Sequence, residues 1–322
     1  MTRTSRQRAD ALQPKRSVQE AAAHVTAEIT RFLERGVMPW RVPWDIARAH
    51  AATPGMPLRA TGEAYRGANV VLLWAAQAAR GYGRRTWLTY KQAEALGAQV
   101  RKGEKACPVI YYGSAPVRDS AAASEPDANG KTYRFLKLFH VFNVEQIESL
   151  PPDFGAEVAA EPSELPAISE WVRSAGATIR MGGARAFYSP ITDAIHMPPL
   201  QAFDNEEAWS ATLAHEAIHF TGHSSRLDRL SDYARDRKAR AREELVAETG
   251  AAMLGAMLGF RPDHMEDHAA YIGDWLALLQ DEPRAFLSAA AKAQAAVDWL
   301  IAKTGEAHQQ QCVNSDPAKQ WN

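Results

Sequence analysis

The chain has 322 residues, 46% hydrophobic and 23% charged, a balance that excludes a disordered protein and suits two globular domains better than one. No apolar run approaches the roughly 20 residues of a membrane helix, the basic, polar stretch Met1 to Arg16 lacks a secretory signal's apolar core, and the two cysteines, Cys107 and Cys312, make no disulfide framework. The net charge of −1 hides a division, because residues 1–150 hold 22 Lys and Arg against 13 Asp and Glu and the rest hold 15 against 25.

In chain order, residues 1–16 read as a disordered basic tail. Ser17 with Glu20 forms a capping box for a helix ending near Gly36. The Pro/Trp-rich stretch Met38 to Trp44 is neither helix nor strand. Asn69 to Arg80 reads as a buried helix closed by Gly81, and Thr89 caps a short helix that stops at Gly97. Cys107–Tyr112 and Tyr133–Phe142 are strand-like and flank a long polar loop, which predicts a hairpin. A Pro-rich acidic segment, 151–164, reads as a linker between a first domain (17–150) and a second (165–303), with 304–322 as a disordered tail. The second domain opens on a helix over Glu164–Ala175 and short strands at Ala186–Ser189 and Ala194–Met197. Asp204 with Glu207 caps a helix running to about Thr221. Ala239 to Gly259 and two Ala-rich segments, 265–280 and 283–303, supply three more helices. The class is α+β: a mixed α/β first domain and a mainly helical second domain with a small sheet.

The chemistry concentrates at His215-Glu216-Ala217-Ile218-His219, an H-E-x-x-H run. Residues four apart lie one above the other on a helix face, so both imidazoles can reach one cation at about 2.0–2.1 Å. Glu216 lies beside them, placed to act as general base toward a metal-activated water. The later helix carries Glu243, Glu244 and Glu248 among Leu245, Val246, Ala247 and Ala251. Carboxylates on a helix that otherwise looks buried need partners. Three protein ligands with one open position make a catalytic zinc site. Glu244 is chosen as the third ligand, with Glu248 one turn on orienting a ligand histidine and Glu243, about 100° round the helix, facing solvent. Glu248 is the main competitor as ligand. His223 and Tyr188 are candidates to border the cleft, and either of them or Tyr233 could assist as an electrophile. His196 is expected in a strand or turn at the cleft's edge.

In the basic half aromatic and cationic residues interleave, notably Arg41, Trp44, Tyr65, Arg66, Asn69, Trp87, Tyr90, Lys91, Arg101 and Lys102. Aromatic platforms beside cations bind single strands without sequence preference. The competing expectation is that the tryptophans are core.

Several segments together resemble one family, the ArdC antirestriction proteins of mobile elements. In the first half they are Pro39-Trp40, Tyr65 to Asn69, Trp87 to Ala93, Leu96-Gly97, Val100 to Glu104 and Val141 to Ile147. In the second they are Tyr188-Ser-Pro190, Asp193 to Pro198, His215 to His219, Thr221-Gly-His223, Arg226-Leu227, Glu243 to Glu248 and Tyr271 to Trp275. Phe220 stands where the family commonly has Trp, and Arg240 where a Tyr often precedes the Glu-Glu pair. The resemblance implies a protein that binds single-stranded DNA and helps incoming plasmid DNA escape restriction; the lack of a membrane run, secretory signal or disulfide framework sets the expectation of a cytoplasmic chain. It also implies a zincin-like metallopeptidase domain holding Zn2+ or another divalent metal. Pairing the two domains would bring the peptidase to a DNA-associated protein substrate such as a restriction component. A DNA-protecting binder with a purely structural metal is the competing reading.

Overall fold

The structure, a computed structural model, describes residues 14–40, 55–116, 132–152, 154, 168–260 and 268–314. Among these residues no helix is long and apolar enough to cross a membrane. The expected linker lies almost wholly outside them, as do Arg41 and Trp44.

The N-terminal half is α1 (Pro14–Glu34), β1 (Leu58–Arg59), α2 (Ala68–Arg80), β2 (Thr86–Thr89), α3 (Tyr90–Ala95), β3 (Gln99–Val100), β4 (Cys107–Pro116), β5 (Thr132–Asn143) and β6 (Ile147–Glu148). Helix α1 begins three residues before the expected Ser17 cap. Strands β4 and β5 form the expected hairpin, in register from Cys107↔Val141 to Pro116↔Thr132. The main sheet has the order β1-β2-β5-β4, and β3 pairs with β6. Thr89 caps α3 in a full capping box with Gln92. Helix α2 is apolar almost all round, and Val70, Val71, Leu73 and Trp74 are fully buried, so it packs as a core helix against β4.

The C-terminal half is α4 (Ile168–Ser174), β7 (Thr178–Met181), β8 (Phe187–Ser189), β9 (Ala194–Met197), α5 (Glu206–Thr221), α6 (Arg237–Leu258), α7 (His268–Asp281) and α8 (Ala285–Asn314). Its sheet has the order β7-β9-β8, with β7 parallel and β8 antiparallel to the central strand. Helix α5 is capped by Asn205, whose side chain accepts from Ala208 N, one residue after the Asp204 box expected from sequence. Helix α8 continues to Asn314, past residue 303 where a tail was expected. Leu300 and Thr304 are buried there, and no proline interrupts the helix.

Helices α5 and α6 approach closely because of Gly250. A Cβ there would sit 2.8 Å from Ile218 Cδ1 on α5, so the glycine sets the spacing that brings the glutamates of one helix to the histidines of the other.

The halves do not sit as separate beads. One continuous apolar cluster includes Val25, Ile29 and Leu33 of α1 together with Trp275, Phe286 and Ala290 of α7 and α8. Trp40 and Trp275, both fully buried, meet edge to face with ring centroids 5.5 Å apart. Polar contacts cross the same seam. Thr26 Oγ1 donates to Pro283 O at 2.6 Å, Gly67 N–H donates to Gln294 Oε1 at 3.0 Å, and Arg66 pairs with Asp298.

Candidate metal centre

Helix α5 is buried on all sides from Leu213 to Thr221, so its two histidines and Glu216 lie in low dielectric and need partners. The partners come from α6. His215 Nε2 and His219 Nε2 point at each other 3.0 Å apart. Glu244 closes the group, with Oε2 3.4 Å from His215 Nε2 and Oε1 3.7 Å from His219 Nε2. Ligand atoms of His215, His219 and Glu244 all lie within 4.8 Å of one another.

The outer ring nitrogens have carboxylates of their own. Glu248 Oε1 lies 3.3 Å from His215 Nδ1, in ion-pair range. Glu243 Oε1 lies 3.3 Å from His219 Nδ1. The expectation that Glu243 faces solvent is therefore corrected: it is buried, and Arg229 grips it with Nε at 3.0 Å and Nη2 at 2.9 Å. Arg229 also donates to Thr221 Oγ1 and Ile218 O, which ties the loop after α5 to the end of that helix. Tyr233 donates to Glu244 Oε1 at 2.5 Å. The Tyr188 backbone N–H, on edge strand β8, donates to Glu216 Oε2 at 2.7 Å.

This donor set fits a divalent cation. Carboxylates on both Nδ1 positions favour the tautomer that keeps each Nε2 lone pair free, and two such lone pairs 3.0 Å apart repel unless positive charge lies between them. Four buried carboxylates, Glu216, Glu243, Glu244 and Glu248, meet one buried guanidinium, Arg229, already engaged by Glu243. Without a cation the histidines must take up the deficit. Burial lowers both pKa values, but Glu244 and its neighbours outweigh it, holding His215 well above its usual value and His219 at about 9. Glu244 is in turn held well below the carboxylate range: burial pushes it up, and the two imidazoles more than reverse this.

The cluster opens on a cleft of about 660 Å3 lined by Phe187, Tyr188, Phe203, Tyr233 and Tyr271 as well as the metal-site residues. His223 is not among the lining residues. The helix ends at Thr221, so residue 223 leaves the histidine face, and its Nδ1 lies 2.8 Å from Ser225 Oγ. Tyr188 contributes its backbone, since its hydroxyl donates to Asp193 Oδ1 at 2.6 Å and accepts from Arg226 Nη2 at 3.0 Å. Arg226 also reaches Phe220 O at 2.6 Å and lies 3.7 Å over the Phe220 ring, so Asp193, Arg226 and Tyr188 brace the sheet against α5. Arg229 escapes a sequence reading because a loop residue carries no periodicity, and the brace does because Arg226 lies 33 and 38 positions from the residues it joins. The apolar neighbours Leu245 and Ala247 were the available sign that Glu243 is buried.

The brace predicts a pH response. Arg226 beside Asp193 holds its carboxyl down at about 2, below the ordinary aspartate value of 3.8. A depressed folded-state pKa stabilises above the unfolded value and loses that contribution as pH falls through the folded one. The stability advantage of the native chain over Asp193→Asn should therefore be full at about pH 5 and shrink between about 4 and about 2, read from urea midpoints. An advantage that stays constant down to about pH 2 would show that the ion pair is not its source.

Residues 19–142 match the N-terminal domain of the anti-restriction factor ArdC, and residues 166–292 match the zincin-like metallopeptidase family. The metal-free crystal structure of the antirestriction ArdC protein from plasmid R388 is 42% identical, covers 88% of this chain and 98% of its own, and superposes with a TM-score of 0.75. The chain belongs to the ArdC antirestriction family. The Mn(II)-bound structure of the same ArdC protein matches with a TM-score of 0.72, at 42% identity over 88% of this chain and 97% of its own. The protein y4eC of Sinorhizobium fredii (strain NBRC 101917 / NGR234) is 37% identical over 287 residues, 88% of this chain and 92% of y4eC. A DNA primase TraC of Escherichia coli is 36% identical over 303 residues, which is 90% of this chain and 20% of the primase. This ArdC-family chain thus spans about a fifth of that primase's length.

Within the ArdC N-terminal domain the expected DNA-contacting residues divide. Trp87 is fully buried and Tyr65 nearly so, and no base can stack on either. The Asn69 side chain is spent on the Ile110 backbone, donating to its carbonyl at 2.8 Å and accepting from its N–H at 2.7 Å. These three are corrected to structural residues. Arg66 is paired across the seam with Asp298. Tyr90, Lys91, Arg101 and Lys102 are exposed, with Arg101 paired to Glu104. Tyr111 and Tyr112, which belong to the same interleaved stretch, stand exposed on the hairpin together with Phe139, which the sequence reading missed, and Lys137 lies opposite Tyr111 in the ladder.

Proposed function

We propose that this protein shields incoming mobile-element DNA from restriction by binding single strands through its basic half. In the same reading its C-terminal half hydrolyses peptide bonds in a DNA-associated protein such as a restriction component, and both act in the cytoplasm. The observation that carries the hydrolytic part is the convergence of His215, His219 and Glu244 beside Glu216 at the base of an open cleft. His215, His219 and Glu244 would hold a divalent cation, zinc by its donor set, and that ion would supply Lewis-acid activation of water and of a substrate carbonyl.

The chain's own groups then have distinct tasks. Tyr188 N–H fixes one oxygen of Glu216, which leaves the other to accept a proton from the attacking water and deliver it to the leaving amine. Glu248 and Glu243 orient the two imidazoles. Tyr233 holds Glu244, and Tyr271, stacked on Trp275, lines the cleft as a hydroxyl donor for the substrate carbonyl oxygen. Support for the DNA part comes from the basic surplus of the first half, its match to the ArdC N-terminal domain, and the exposed aromatics beside Lys137.

Glu216→Gln tests the hydrolytic part. The expected outcome is unchanged bound metal and proteolysis reduced about 100- to 10,000-fold, the range that removal of a general base supports. Protection of unmodified plasmid DNA in a restricting host should fall in parallel. Full protection by a metal-replete Glu216→Gln variant would instead favour a DNA-coating protein whose metal is structural.

A further inference from the structure

The three-stranded sheet of the C-terminal half has one face on the core and one toward solvent, and the two-residue period of a strand sorts its side chains accordingly. Tyr188, Ile195 and Met197 are buried. On the other face Arg180, His196 and Phe187 stand in a row across β7, β9 and β8. Arg180 is paired with His196 in the parallel ladder, and Phe187 with His196 in the antiparallel one. Phe187 is 46% exposed and stacks flat on the His196 ring, with centroids 4.5 Å apart and planes 7° from parallel. The turn at Gly182 and Gly183, both at positive φ, brings exposed Arg185 to the same place. Together these residues line a groove of about 530 Å3. Neither Arg180 nor Arg185 has an acidic partner among the described residues, and the region's nearby Asp193 is already held by Arg226.

An exposed planar ring pair edged by two guanidiniums without carboxylates matches a nucleotide strand: a base stacks on Phe187 and flanking phosphates take the arginines. An acidic peptide would satisfy the arginines but has no planar group to use the ring face. The groove also shares Ala184 and Phe187 with the metal cleft, so the two cavities have a common wall. We propose that this groove is a second single-stranded-DNA site, in the metallopeptidase half, which holds a strand beside the metal cleft and so presents polypeptide bound to that strand to the cleft. The proposal rests on the reading that the protein binds single strands.

The test uses the full chain and a fluorescent thymidine oligonucleotide, with anisotropy measured over a salt series. Arg180→Gln with Arg185→Gln should make the log–log salt slope shallower by about 1.4, at about 0.7 for each phosphate of a single strand no longer neutralised. Phe187→Leu should weaken binding about fivefold or more with the slope unchanged, because stacking carries no counterion release. Arg173→Gln, an exposed arginine on α4 that does not line the groove, serves as the charge control and should leave both the affinity and the slope unchanged. If the wild type binds and the groove variants match it, or Arg173→Gln alters the slope as much per residue as the groove arginines do, the groove is not a DNA site. If the variants keep the oligonucleotide and lose a polyglutamate peptide, the groove belongs to acidic polypeptide and the proposal is overturned. If the wild type itself fails to bind, the wider DNA reading falls with it.

Discussion

Glu244→Ala is expected to weaken divalent-metal binding by about 100- to 1,000-fold, measured by competition with a fluorescent chelator. The figure follows from about 10–16 kcal/mol for a four-ligand zinc site, or about 2.5–4 kcal/mol per ligand. Glu248→Gln and Glu243→Gln should cost only about 10- to 100-fold, because each orients an imidazole rather than supplying a donor. The ordering is the discriminating result. Glu244 approaches the Nε2 atoms of both histidines, whereas Glu248 and Glu243 each lie 3.3 Å from an Nδ1 on the far side of a ring. A larger loss in Glu248→Gln than in Glu244→Ala would exchange their roles and remove the ligand set on which the hydrolytic reading stands. The glutamine variants keep side-chain volume in a buried cluster. For Glu243 this matters particularly, since a smaller residue would strand Arg229 without its partner.

Trp275→Ala is expected to destabilise the whole chain by about 3–5 kcal/mol, the range for truncating a buried tryptophan. At about 2.1 cal/mol/K per residue, that lowers the melting temperature of a chain of this length by about 4–7 °C. The more informative expectation is the form of the transition. Trp275 packs edge to face on Trp40 of the other half, and its Nε1 donates to Ala241 O of α6 at 3.1 Å. Both halves should therefore unfold in one calorimetric transition, and that transition should move as a unit. Two transitions, of which only the C-terminal one shifts, would mean that the seam contributes little and that the halves are independent domains.

Which features were legible before any coordinates follows from the range of the interactions that make them. The Thr89 cap, the α2 segment closed by Gly81, and the hairpin strands are set by neighbours within a few residues, and the structure has them where the sequence reading expected them. The histidine pair is local in the same way, because i and i+4 share a helix face whatever surrounds the helix. The aromatics of the basic half were misread for a complementary reason. Composition counts Trp87 and Tyr111 alike, but only tertiary packing buries the first, with Tyr82 edge to face on it, and leaves the second in water.

By itself, then, the sequence determined the two-part organisation, the family, and the presence of a helix carrying two imidazoles and a neighbouring carboxylate. Only the tertiary structure decided that Glu243 is buried with Arg229, that Glu244 rather than Glu248 sits nearest both Nε2 atoms, and that the two halves share one core through Trp40 and Trp275. Each of these depends on how closely helices distant in sequence approach and at what rotation. The missing side chain of Gly250 permits that approach for α5 and α6, and no pattern confined to one helix records it.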